Sequence, residues 1–121
     1  MPHLRIHTNI ARSKIPPGLG KELCQVVAQT IGKPVEVCSA LINPDQLLSW
    51  GGNDGDEPCA QVVIMSVGHM GAEENKRHAK AITEKIQSSL GITPTKLCIH
   101  FQDAKDFEVG YNGTTVQNLS N

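Results

Sequence analysis

The sequence predicts an α/β (α+β) domain built as a tandem βαβ repeat, in which a four-stranded mixed sheet carries two antiparallel helices on one face. Three observations lead there. Two apolar, strand-like stretches are each followed by an amphipathic helical pattern. Each helical pattern stops at a glycine with a proline soon after, Gly32 before Pro34 and Gly91 before Pro94. The two glycines stand 59 positions apart, and the strands that follow share that offset. The pseudo-repeats are therefore placed at about residues 2–45 and 59–103, in one domain spanning 1–121 with a flexible tail at 117–121.

From Pro2 to Asn9 the chain alternates, with Leu4 and Ile6 facing one way and His3, Arg5 and His7 the other, which is the period of a strand. Pro16-Pro17-Gly18 punctuates, and Leu19, Leu23, Val26, Val27 and Ile31 then recur at helical spacing. A second strand is expected over 35–42. A short apolar piece at 47–50 runs into the loop Gly51-Gly52-Asn53-Asp54-Gly55. Ala60–Val67 is a near-continuous apolar run and reads as a strand buried on both faces. Glu73 and Glu74 favour the first turn of the second helix, where the helix dipole welcomes negative charge. Ala79, Ile82, Ile86 and Leu90 form its apolar stripe. A strand at 97–101 and a short one near 108–111 complete the elements.

A sheet covered by helices on one side only leaves its other face bare. The chain has too few residues left to build a third layer, so other copies are expected to cover it, with the short strands pairing across the subunit boundary.

Composition excludes several classes. Hydrophobic residues make up 39% and charged residues 19%, a globular balance, with aromatics at only 3%, so the core is aliphatic. A net charge of −1 with interspersed signs offers no footprint for nucleic acid. No apolar run approaches membrane-spanning length, and Met1–His7 is too short and polar for a signal-peptide core, which makes the cytoplasm the expected location. Cys24, Cys38, Cys59 and Cys98 lack metal-ligand spacing and read as small hydrophobes. The histidines are scattered, and neither a metal nor a cofactor is expected.

Seven motifs in register carry a resemblance. Met1-Pro2 opens a strand ending in Thr8-Asn9; Gly32-Lys33-Pro34 follows the first helix; Pro44-Asp45-Gln46-Leu47 precedes a Gly-Gly turn. Glu57-Pro58-Cys59-Ala60 enters the third strand, Ser66-Val67-Gly68 closes it, Glu74-Asn75-Lys76-Arg77 opens the second helix, and Val109-Gly110-Tyr111-Asn112 lies near the end. In this order and spacing the chain resembles the macrophage migration inhibitory factor and D-dopachrome tautomerase family over nearly its whole length. The resemblance implies a homotrimer with an active site at each subunit boundary. It also implies keto–enol tautomerisation of a small aromatic 2-keto acid or a dopachrome-like substrate. It further implies a cytokine-like role, with export by a route independent of a signal peptide and a cell-surface receptor of the invariant-chain type as a possible partner. A signalling protein with a vestigial pocket is the alternative.

The chemistry such a protein needs is visible at Pro2. Removal of Met1 leaves a free secondary amine, and an ordinary α-amino group titrates at about 7.7–8.0. Burial and a neighbouring cation both disfavour the ammonium form and lower that value. An amine brought near neutrality can take a proton from the carbon beside a ketone and return it elsewhere. If Met1 stays, the Pro2 nitrogen is an amide and has no such chemistry. A proline merely tolerated at a strand's first position is the structural alternative.

By resemblance, Lys33 anchors the substrate carboxylate; it also complements the first helix's C-terminal end. Ser66 and Val67 match positions beside the pocket, where the Val67 backbone N–H would bond substrate. Cys98, His100 and Tyr111 stand where the family has a tyrosine from the neighbouring subunit, a substrate-binding asparagine and a rim tryptophan, and Val37 replaces another pocket tyrosine. These departures bear on substrate preference and not on the base. The family's Cys-x-x-Cys is here Cys59-Ala60-Gln61-Val62, which lacks a resolving thiol, so no dithiol redox activity is expected from it.

Overall fold

A computed structural model describes residues 1–119 of the chain. Strand β1 (His3–Thr8) leads through a 3₁₀ turn (Arg12–Lys14) to helix α1 (Leu19–Ile31), and a second 3₁₀ turn (Val35–Val37) leads to β2 (Ser39–Asn43). The second unit runs β3 (Ala60–Val67), α2 (Ala72–Leu90), a 3₁₀ turn (Pro94–Lys96) and β4 (Leu97–Ala104). A small hairpin, β5 (Gly110–Tyr111) and β6 (Thr114–Thr115), precedes one helical turn, α3 (Val116–Leu119).

The sheet order is β2-β1-β3-β4, parallel within each unit and antiparallel between β1 and β3 at the centre. The 59-residue offset is kept by the 3₁₀ turns, whose first residues are Val35 and Pro94. Both helices end as expected: Gly32 and Gly91 are left-handed, with φ of 83° and 68°, and their N–H groups donate to the Ala28 and Gln87 carbonyls.

Alternation decides which residues meet the helices. Leu4, Ile6 and Thr8 of β1 and Ala60, Val62, Ile64 and Ser66 of β3 are buried, opposite Leu23, Val27 and Ile31 of α1 and Ile82 and Ile86 of α2. The other face carries His3, Arg5 and His7, flanked by Val63 and Met65, and on β4 by Cys98, His100 and Gln102.

Several expectations need correction. The strand expected over 35–42 starts only at Ser39, because residues 35–37 turn into a 3₁₀ helix after Pro34, as residues 94–96 do in the second unit. Strand β3 buries one face under the helices, and its other face, with Val63, Met65 and Val67 half-buried in one chain, is the one expected to be covered by other copies. The short strand near 108–111 pairs with β6 of its own chain. The tail expected from residue 117 begins inside α3, where the Gln117 N–H donates to the Asp106 carbonyl; residues 120 and 121 lie outside the described residues. All four cysteines are free thiols, and only Cys59 is fully buried; Cys98 is exposed on the open sheet face. No helix is long and apolar enough to cross a membrane.

The sequence reading also missed a polar core residue. His78 is 1% exposed. Its Nε2 donates to the His69 carbonyl at 2.8 Å, and its Nδ1 is hydrogen-bonded to the Thr30 hydroxyl at 2.8 Å. His78 thereby ties α2 to α1 and to the turn after β3, where His69 is itself left-handed at φ 61°.

Candidate active site

The first strand brings its N-terminal end to a corner made by three other segments. The antiparallel ladder of β1 with β3 begins at the His3–Met65 pair, immediately after Pro2. On its other side the Pro2 carbonyl accepts the Ser39 N–H at 3.1 Å, which fastens the proline to the head of β2. Pro2 is buried, while Met1 before it is only half-buried.

Lys33 reaches this corner because α1 stops where it does. The Gly32 and Lys33 N–H groups both donate to the Ala28 carbonyl, at 2.9 and 3.1 Å, and this closes the helix and turns the chain towards β2. Among the described residues no carboxylate pairs with the Lys33 ammonium. The chain's terminal amine is held below its ordinary value, first by burial and then by the Lys33 charge, with Cys38 opposing. His3 is likewise held down, by burial, then by Arg5, then by the terminal amine. A corner in which Lys33 repels the amine, and Arg5 and the amine disfavour a charged His3, suits an anionic ligand, whose charge relieves the repulsion.

The remaining polar groups of the corner are mostly engaged. His3 Nδ1 and Ser39 Oγ are hydrogen-bonded at 2.5 Å. The Cys38 thiol donates to the Pro34 carbonyl at 3.4 Å, and the Cys24 thiol points at the Cys38 carbonyl at 3.7 Å. Burial pushes the Cys38 thiol up, with Cys24 next among the causes. Neither Cys24 nor Cys38 was singled out from the sequence, because nothing in their spacing places them together beside Pro2. The Ser66 hydroxyl alone has no partner.

Lys33 acts on the chain terminus beside Pro2, while Ser66 and Val67 close β3, the strand that β1 pairs with. Cys98, His100 and Tyr111 lie elsewhere. Cys98 pairs in register with Gln61, and His100 with Val63, on the opposite sheet face. At ~3.3 Å per residue, His100 lies about 10 Å and Cys98 about 17 Å along the strands from the level of Ser66. Tyr111 sits exposed on the terminal hairpin. Val37 lies half-buried in the 3₁₀ turn that follows Lys33. A concavity of about 760 Å³ lies at the far end of the molecule between Asn9, Gln46, Leu48 and Leu90, and shares no residue with the proline corner. A smaller one of about 300 Å³, lined by His3, Arg5, Ser39 and Leu41, opens on the free sheet face beside the corner. Among the described residues no cluster of histidine, cysteine and carboxylate side chains could hold a metal ion.

Fold and corner together define a small α+β protein with a buried proline heading its first strand, next to an unpaired lysine. The family model described as macrophage migration inhibitory factor (MIF) matches residues 1–117. The macrophage migration inhibitory factor of Meriones unguiculatus is 35% identical over 115 residues, covering 95% of this chain and 98% of that protein. The D-dopachrome decarboxylase of Gallus gallus is 30% identical over 117 residues, covering 96% and 98%. The solved structure of the macrophage migration inhibitory factor from Trichinella spiralis superposes with a TM-score of 0.89 at 30% identity, covering 93% of this chain and 98% of that one. The chain belongs to the macrophage migration inhibitory factor family.

Proposed function

We propose that this chain is a keto–enol tautomerase acting on small aromatic 2-keto acids of the phenylpyruvate type, or on dopachrome-like compounds, with the Pro2 amine as general base once Met1 is removed. The observation that carries this reading is the buried Pro2 beside Lys33, at a terminus whose amine is already held down by burial and by that lysine. The Pro2 nitrogen lies one residue further in than the Met1 nitrogen, and it belongs to a buried residue rather than a half-buried one.

In the forward direction the neutral Pro2 nitrogen takes a proton from the carbon beside the ketone. The C–H electron pair becomes the carbon–carbon double bond, the charge passes to the carbonyl oxygen, and that oxygen takes a proton back from the Pro2 ammonium, which gives the enol and restores the neutral amine. No electrons leave the substrate, so no cofactor is called for. Lys33 holds the substrate carboxylate and disfavours the Pro2 ammonium; the Val67 backbone N–H is the proposed donor to substrate. Cys98, His100 and Tyr111 enter this scheme only from a neighbouring copy in a homotrimer, since one chain keeps them away from Pro2. A cytokine-like role, with export independent of a leader and a cell-surface receptor as partner, belongs to the same proposal through family membership.

The test joins intact mass with an ultraviolet assay of enol-phenylpyruvate on one sample. Protein lacking Met1 is expected to turn over substrate, and the Pro2→Gly variant to lose most of the rate while keeping its fold. Processed, folded protein without turnover would leave the signalling reading alone.

A further inference from the structure

We propose that Cys24 and Cys38 form a redox-active pair, which a small-molecule disulfide such as glutathione disulfide oxidises to a bond tying α1 to the head of β2. Nothing in this pairing depends on the role of Pro2.

Fourteen positions separate the two cysteines in sequence, and the fold brings them together. Cys38 closes the 3₁₀ turn Val35–Val37, and with Ala40 and Ile42 it packs towards the helix-covered core. Cys24 follows the buried Leu23 on α1, and its thiol lies 3.7 Å from the Cys38 carbonyl oxygen. Residues of α1 come within 8 Å, Cα to Cα, of both the turn before Cys38 and the strand after it. A disulfide asks for Cα atoms about 4.4–6.8 Å apart, so the elements already stand at nearly the required separation. Both thiols rest on carbonyl oxygens, Cys38 on that of Pro34 at 3.4 Å and Cys24 on that of Cys38. A thiol is a weak donor, so turning the two sulfurs towards each other gives up little. The remaining thiols are elsewhere: Cys59 is buried against the Leu48 carbonyl, and Cys98 is exposed on the open sheet face.

Burial, and then the Cys24 charge, pushes the Cys38 thiol up, with the terminal amine opposing, so Cys38 is a slow first nucleophile. Cys24 therefore reacts first. Its thiolate attacks one sulfur of glutathione disulfide; a Cys24–glutathione bond forms, the reagent's S–S bond breaks, and one glutathione leaves as thiolate. Cys38 then gives its proton to solvent, and its thiolate attacks Cys24 Sγ and expels the second glutathione. Two protein thiols are oxidised, and one reagent disulfide is reduced to two thiols. The new bond fastens the segment between Lys33 and Ser39 onto the helix. Lys33 acts on the terminal amine from one end of that segment, and the Ser39 N–H holds the Pro2 carbonyl at the other. The state of the pair thereby sets how firmly the proline corner is held.

The experiment equilibrates the full chain with excess glutathione disulfide, or with dithiothreitol, at one protein concentration. Alkylation with peptide mass mapping, urea unfolding and amide hydrogen exchange then read the two samples. In the oxidised sample a peptide joining Cys24 to Cys38 is expected, with neither residue alkylated. Closing a loop of about 15 residues should raise the urea midpoint by roughly 1–2 M over the dithiothreitol sample. Exchange of the Ser39 N–H should slow severalfold. Cys24→Ser and Cys38→Ser should each abolish the joined peptide and both differences. Alkylatable Cys24 and Cys38 after oxidation, glutathione retained on Cys24 without closure, or a midpoint rise that survives Cys24→Ser overturns the pairing. Joined thiols with unchanged Ser39 exchange overturn its hold on the corner. Should the Cys38 variant not fold, Cys24→Ser, at a half-buried helix position, carries the same comparison.

Discussion

Replacing His78 with alanine tests whether a buried imidazole fixes the turn that leads out of β3. The side chain is 1% exposed and makes two hydrogen bonds of 2.8 Å, to Thr30 and to the His69 carbonyl. Two net hydrogen bonds at about 0.5–1.5 kcal/mol each give about 2 kcal/mol. The void left by the ring, which also faces Phe101 at a centroid distance of 6.4 Å, adds about 1–2 kcal/mol. The expected loss is therefore about 3–4 kcal/mol, a large fraction of a stability of about 5–15 kcal/mol. With a urea slope of about 1.5 kcal/mol per molar, the midpoint falls by roughly 2 M. His78→Leu refills most of the volume but strands both polar partners, so it should still cost about 2 kcal/mol. Protein concentration is held fixed throughout, since self-association would shift the midpoint by mass action. A leucine variant as stable as wild type would refute the reasoning, because packing and not hydrogen bonding would then hold the turn.

Three further outcomes follow from the same structure. Gly32→Ala places a Cβ where nothing lies within 4 Å but where φ is 83°, so it should cost about 1 kcal/mol from backbone strain alone, read by urea unfolding. Burial raises the Cys38 and Cys59 thiols above their ordinary value of 9.0. Unfolded thiols then lose protons that folded ones keep, so stability should decline as pH rises through 9; a flat profile between pH 8 and 10.5 would contradict this. Towards a disulfide reagent Cys98 should react first and Cys59 last, following exposure. If Cys98 lines a neighbouring copy's site, phenylpyruvate should slow its labelling, and an unchanged rate would remove it from the site.

The parts of this molecule legible in the sequence were those in which chemistry and spacing agree. Gly32 and Gly91 read as helix stops, and both adopt the left-handed conformation that stops need. The alternation of β1 already placed Leu4 and Ile6 on the buried face. The apolar stripe of α2 names Ala79 as its first member, whereas the buried position one residue earlier is held by His78. The spacing to Ile82 and Ile86, four and eight residues on, held the signal, and only the polarity of the residue hid it. Residues 35–37 look like strand because valine favours strands, but Pro34 fixes the approach and the chain turns before β2 begins. Cys98 and His100 could be matched to family positions from sequence, yet which sheet face they occupy followed only from register. That face is the open one, away from Pro2.

The most direct measurement is a ¹⁵N NMR titration of the Pro2 nitrogen in the trimmed wild-type protein and in Lys33→Ala. The wild-type nitrogen should titrate near neutrality, and its pKa should rise when the lysine charge is removed. A nitrogen that stays protonated into alkaline solution, or one indifferent to Lys33, would contradict the assignment of Pro2 as the base.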